Sequence, residues 1–176
     1  MTSSIRDIAY QLRQGQLIAL ADETGWSVAA DPVNDAAVDK LLALRSAMPA
    51  GLYPTVVIHN TDQLGLYVAK LPDVAYDLVE FAENPLTVVY EQGKNVSVSL
   101  LSVQPEIAVR RSLTPPTQQL IGSFGRGLLT VPFESLVLPA ATEGLFWAKY
   151  GTLPTVLKRP RIMRLKMNGE VGFIRK

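Results

Sequence analysis

The stretch 17–40 constrains this chain more than any other. Its opening run, Leu17-Ile-Ala-Leu-Ala, is apolar, short and free of breakers, and so predicts a buried central strand. Asp22, Glu23 and Thr24 then place three polar side chains at the C-terminal end of that strand, the end at which open α/β sheets hold their ligands. Gly25 lets the chain bend, and Trp26 either walls a pocket, stacking on a flat ligand, or fills the core. Asp31-Pro32 punctuates a loop, and Asn34 is the expected N-cap of a helix whose apolar stripe is Ala37, Val38, Leu41, Leu42 and Leu44. Strand, polar turn and helix in that order point to an α/β chain.

The rest of the pattern extends this reading. An amphipathic helix is expected over 5–14, ended by Gly15, and the helix after Asn34 over 35–47. Strands are expected over 55–59, 86–90, 107–111 and 128–131, with a helix opened by Pro72-Asp73 that turns Val74, Leu78 and Phe81 to the core. The alternating segment 96–101 reads as a strand joined to 86–90 by a hairpin-like turn, and 117–124 reads as a helix. Closing strands are expected over 155–157, 162–167 and 172–175, the last two joined by an Asn168-Gly169 turn. Helices and strands alternate early and hairpins dominate late. The fold class is therefore α/β (α+β): a single domain over 1–176, built on a twisted mixed parallel and antiparallel sheet with flanking helices.

Composition narrows the chemistry. With 48% apolar and 19% charged residues the chain folds rather than staying disordered. No apolar run approaches the roughly 20 residues of a membrane helix, and the start of the sequence lacks the apolar core of a secretory signal, so the cytoplasm is the expected compartment and no membrane partner is expected. The absence of cysteine excludes thiolate catalysis, disulfides and cysteine metal sites. The one histidine, His59, ends a predicted strand, has no spaced carboxylate cluster around it, and reads as a hydrogen-bonded strand-end residue, so no metal site is expected. From Lys158 onward lie seven Lys and Arg against one Glu, a local excess of +6, so the first 157 residues sum to −5. Lys158, Arg159, Arg161, Arg164 and Lys166 are candidates for contact with nucleic-acid phosphates; alternatively they are solvated charges protecting a sheet edge.

The segment 21–32 resembles the motif of the YrdC-like family, roughly Pro-Thr-Glu-Thr-x-Tyr-Gly-Leu-x-x-Asp-Pro, whose active members are threonylcarbamoyl-AMP synthases. Glu23, Thr24, Asp31 and Pro32 agree, Trp26 keeps an aromatic, and Ala21, Asp22 and Ser27 depart. The likeness continues in order through 84–90 (Asn-Pro-Leu-Thr-Val-Val-Tyr), 107–115 around Arg110, 154–157 and 172–176. It implies the family's fold, a concave sheet face associated with double-stranded RNA or nucleotide, and a reaction that joins L-threonine, bicarbonate and ATP and releases pyrophosphate for tRNA modification.

The same resemblance implies residues that this chain lacks. The family's Lys-x-Arg-x-x-x-Lys-like loop corresponds to 44–54, where Arg45 stands for the first lysine and Ala47 and Ala50 or Gly51 for the other cations. Its Ser-x-Asn loop corresponds to Pro132-Phe133-Glu134, which brings a negative charge where a nucleotide would lie. Asp22 replaces a threonine that helps hold the amino-acid substrate; it either repels a carboxylate and attracts a cation, or caps its own turn. Losing one well-placed donor to a transition-state oxyanion costs ~3–4 kcal/mol. The ligand-binding set expected is Asp22, Glu23, Thr24, Trp26, Arg45 and Arg110, with Arg110 either gripping an anion or making a salt bridge. A cavity where Asp22, Arg45, Arg110 and Glu134 meet is expected to be neutral or acidic. The expected function is a YrdC-like protein with eroded synthase motifs that binds duplex RNA, tRNA or an adenine nucleotide and names no catalytic residue. The alternative is an active synthase, for which ATP and Mg²⁺ would be required. A purely structural or partner-binding role is the third reading.

Overall fold

In this computed structural model, residues 4–176 are described. Ser4 caps α1 (Ile5–Arg13) by accepting from the Asp7 N–H, and its buried stripe is Ile8, Ala9 and Leu12. β1 (Ile18–Asp22) is buried along its whole length. The chain does not then enter a loop, as the sequence implied, but reverses at once into β2 (Gly25–Ala30), paired antiparallel with β1. Two local features make the reversal. Asp22 Oδ1 accepts from the Thr24 N–H and from Thr24 Oγ1, and Gly25 takes φ +96°, which other residues adopt only under strain.

Asn34 caps α2 (Asp35–Leu42) as expected, its side chain accepting from the Ala37 N–H. β3 (Thr55–Ile58), the short α3 (Leu64–Tyr67) and α4 (Val74–Glu80) follow. Helix α4 buries Ala75 and Val79, spaced i, i+4, while Val74 and Phe81 stay exposed, so the predicted inward face is rotated. β4 (Leu86–Tyr90) leads into α5 (Val98–Val103) where a strand was expected. There the alternation of Val and Ser mimics a strand, but Ser97 Oγ accepts from the Ser99 N–H and donates to Asp35, and that cap starts a helix instead.

β5 (Ile107–Arg111) precedes α6 (Pro115–Phe124), which begins on the proline pair, where a missing N–H costs nothing. β6 (Leu128–Pro132), β7 (Ala148–Gly151), β8 (Arg161–Leu165) and β9 (Val171–Arg175) complete the sheet. The segment 155–157 is no strand; it lies across the β1–β2 turn, where the Lys158 N–H donates to the Glu23 carbonyl.

The nine strands run in the order β7-β1-β2-β6-β3-β5-β4-β8-β9, with parallel pairs at β1–β7, β3–β5 and β4–β8 and the others antiparallel. One sheet face is covered by α2, α3, α4 and α5 over the larger core. The other face is covered by α1 and α6, but only over β1, β2, β3 and β6. Beyond that cover, Val89, Ala108 and Ile162 meet only Leu52 and Tyr53 of the 49–54 loop. The half-open face is where the site lies.

Candidate functional site

Arg110 is the floor of that face. It is 5% exposed, and its Nη2 donates to Asp22 Oδ2 at 2.7 Å, although β2, β6 and β3 stand between their strands in the sheet order. Burial alone would raise the Asp22 carboxyl, but the Arg110 guanidinium and the two Thr24 donors outweigh it and hold the group below its ordinary 3.8. For Arg110, burial works against the charge, and Asp22 and then Glu23 overcome it, so the guanidinium is held more firmly protonated. Its Nη1 lies 3.7 Å from Glu23 Oε1 and has no hydrogen-bond partner among the described residues.

Glu23 is itself engaged. Its carboxylate accepts from the Leu113 N–H at 2.7 Å and from Thr114 Oγ1 at 2.8 Å, tying the β1–β2 turn to the entry of α6. Above Arg110 is a cavity of about 20 Å³ lined by Thr24, Tyr53, Thr55, Thr87, Thr130 and Glu134, with Pro132, Pro160 and Ile162 at its rim. That volume holds about one water molecule. Thr55 and Thr130 are directly paired across β3 and β6, and Thr87 is paired with Arg110 across β4 and β5, so four threonine side chains share one face with the guanidinium.

Glu134 closes the cavity. It is a non-glycine residue at φ +51°, and its side chain is 5% exposed. Arg175, at the end of β9, grips its carboxylate bidentately, with Nη1 donating to Oε1 at 2.9 Å, and also donates to the Pro160 carbonyl. Arg159 stands 3.9 Å from the same carboxylate and is 73% exposed. Arg110, Arg159 and Arg175 thus face Asp22, Glu23 and Glu134, and the charges around the cleft cancel.

The remaining predicted residues lie elsewhere. Trp26 shares the opposite sheet face with Val28 and Ala30, and there it borders a groove with Phe146, under Lys149 Nζ at 5.8 Å from its ring. Arg45 is exposed and donates Nε to the Leu42 carbonyl, and it does not line the cavity. The expected meeting of Asp22, Arg45, Arg110 and Glu134 is therefore corrected. Arg110 and Glu134 face one hollow, Asp22 lies beneath the guanidinium, and Arg45 is outside because the chain crosses to the open face only at Leu52 and Tyr53.

Nor do the basic residues of the closing segment form one stripe. Strand alternation sends Arg161 to the α4 side and Arg164 to the other. Arg164 is held by Glu106 at 2.8 Å and by the Tyr53 hydroxyl. Lys166 pairs with Glu170 at 3.5 Å, while Lys158, Arg159 and Arg161 are exposed. His59 falls just past the end of β3, one residue beyond the strand expected to include it, with its backbone N–H donating to Gln63 Oε1, and its Nδ1 has no partner among the described residues. No group of three or more His, Cys, Asp or Glu among the described residues is placed to hold a metal ion. No helix among them is long and apolar enough to cross a membrane. Arg175 is the residue of the site that the sequence reading did not single out; its signals were its place in the basic closing segment and in the matched stretch 172–176.

A twisted mixed sheet with one half-covered face, and a buried arginine among threonines at the edge of that cover, define a class of α/β proteins with a polar cleft on the sheet. The family model Sua5_yciO_yrdC, described as telomere recombination, matches residues 10–139, and this chain belongs to the Sua5/YciO/YrdC family. It is 32% identical to the threonylcarbamoyl-AMP synthase of Chromohalobacter salexigens over 94% of each chain. It is 34% identical to that of Pseudomonas aeruginosa over 85% of this chain and 82% of the relative. Its fold matches E. coli YciO with a TM-score of 0.77 at 19% identity, covering 98% of this chain and 88% of that one. It also matches P. abyssi Sua5 complexed with L-threonine, with a TM-score of 0.74 at 20% identity, covering 92% of this chain; it spans 50% of that longer chain.

Proposed function

We propose that this protein is a threonylcarbamoyl-AMP synthase relative that keeps the family's cleft in a self-neutralised form and does not complete the synthase reaction. The observation that carries the reading is the buried Asp22–Arg110 pair at 2.7 Å. A phosphate or carboxylate ligand needs an available cation, and Arg110 already has a carboxylate beneath it and a second at its flank. The carboxylate of Glu134 supports the same conclusion, because a triphosphate would meet a fixed negative charge. The fit with ATP and its Mg²⁺ is therefore poor as the side chains stand.

The ligand role left to such a protein is contact with phosphates at its surface. Lys158 and Arg159 are exposed on the segment that borders the cleft, Arg161 is exposed next to them on the α4 side, and this edge could meet the backbone of duplex RNA or tRNA without reading its sequence. Titration of the protein with a fluorescent RNA duplex at rising salt tests this. Binding that weakens log-linearly with salt and is lost in a Lys158→Ala/Arg159→Ala/Arg161→Ala variant supports it; no binding at low salt ends it.

One observation favours a second reading, that of an active synthase. Arg159 and Arg175 stand at the cleft mouth, where they could replace the cations missing from the 44–54 loop once Glu134 moves aside. Pyrophosphate release from ATP that depends on both L-threonine and bicarbonate would establish this reading in place of the first.

A further inference from the structure

The structure assigns to Glu134 the role of specificity determinant: its carboxylate, held by Arg175, is a resident anion that keeps phosphate-bearing ligands away from the guanidinium of Arg110. This rests on the reading that the cleft is self-neutralised. Glu134 and Arg110 line the same cavity. Arg110 is buried, and its Nη1, 3.7 Å from Glu23, has no hydrogen-bond partner among the described residues, so the guanidinium beside the cavity keeps unused donor capacity.

The other charged residue lining the cavity is a glutamate whose carboxylate the fold holds in place. Glu134 adopts a left-handed backbone, which glutamate seldom does. Two donors of Arg175 fix its oxygens, and Arg175 is fixed in turn by the Pro160 carbonyl, so β9 and the segment before β8 together hold the residue at the cleft. A free polyanion must displace this carboxylate before it reaches Arg110. A neutral or amine-bearing group need not. In this view Glu134 does at the top of the cavity what Asp22 does below it, but reversibly, since the Glu134 clamp lies at the mouth and Asp22 does not.

The test compares Glu134→Asn with Glu134→Asp. Both are one methylene shorter, both accept a left-handed backbone well, and they differ in charge alone. Inorganic pyrophosphate is titrated by calorimetry at physiological ionic strength into the wild-type protein and both variants, with thermal melts confirming that each is folded. The Asn variant should bind at least tenfold more tightly than the Asp variant and the wild type. Equal binding by the Asn and Asp variants overturns the proposal, as does an equal gain in both. Should either shorter variant fail to fold, Glu134→Gln against the wild type makes the same comparison of charge, with the same deciding outcomes. Turnover of ATP and threonine by the wild type would overturn the non-synthase reading without touching this contrast, and equal pyrophosphate binding would overturn this inference while leaving that reading in place.

Discussion

Asp22 and Arg110 show what a single departure from a motif does to a site. The carboxylate needs a buried cation and the guanidinium needs a buried anion, and each supplies the other. Removing one partner leaves a charge stranded in the interior. Asp22→Asn should therefore destabilise the fold by about 3–5 kcal/mol, measured by urea unfolding. A double variant, Asp22→Leu/Arg110→Met, should be less destabilised than the sum of its single changes. The pair also sets a pH dependence. The folded pKa of Asp22 lies below its unfolded value. Its contribution is therefore complete above about pH 4 and is lost as pH falls through the folded value. Unfolding free energy should decline in that acid window for the wild type and stay flatter there for Asp22→Asn. The sequence marked both residues as candidates and left open whether Arg110 grips a ligand or makes a salt bridge. It could not pair them, because they lie 88 positions apart and only the sheet order brings β1 and β5 to one cleft.

At the scale of elements, local chemistry was readable where it is self-contained. Asn34 caps α2 through its own side chain, the buried run of β1 needed no partner to identify it, and the Asn168-Gly169 turn joins β8 to β9 as its residues require. Two elements were misread because a short-range bond overrode periodicity. The Asx turn of Asp22 and the left-handed Gly25 made a hairpin from a supposed loop, and Ser97 turned an alternating segment into α5. Both devices give testable effects. Ser97→Ala removes the cap and should cost about 1 kcal/mol, read as a lower urea midpoint. A Cβ at Gly25 would stand 2.6 Å from the Ser135 carbonyl and 2.7 Å from Leu157 Cδ2. Gly25→Ala should therefore cost more than the ~1–3 kcal/mol of backbone strain alone, and raise hydrogen exchange in the 133–137 and 155–158 segments, which press on the hairpin.

For the whole molecule, the chain has the family's architecture, and the charges around its cleft pair with one another. Helices cover most of one sheet face and about half of the other, which leaves a polar patch open beyond α6. The basic closing segment is partly consumed by ion pairs: Arg175 by Glu134 at the cleft, and Arg164 by Glu106 and Lys166 by Glu170 away from it. The net excess of +6 after Lys158, plain in the sequence, is thus spread over two faces and an interior clamp, which no charge count could reveal. On the proposed reading, a cleft so neutralised does not run the synthase reaction. Its most direct test is to incubate the purified protein with ATP, Mg²⁺, L-threonine and bicarbonate beside the Pseudomonas aeruginosa relative and to measure pyrophosphate. The account predicts threonine-dependent release from the relative and only background from this protein; sustained threonine-dependent release from this protein would contradict it.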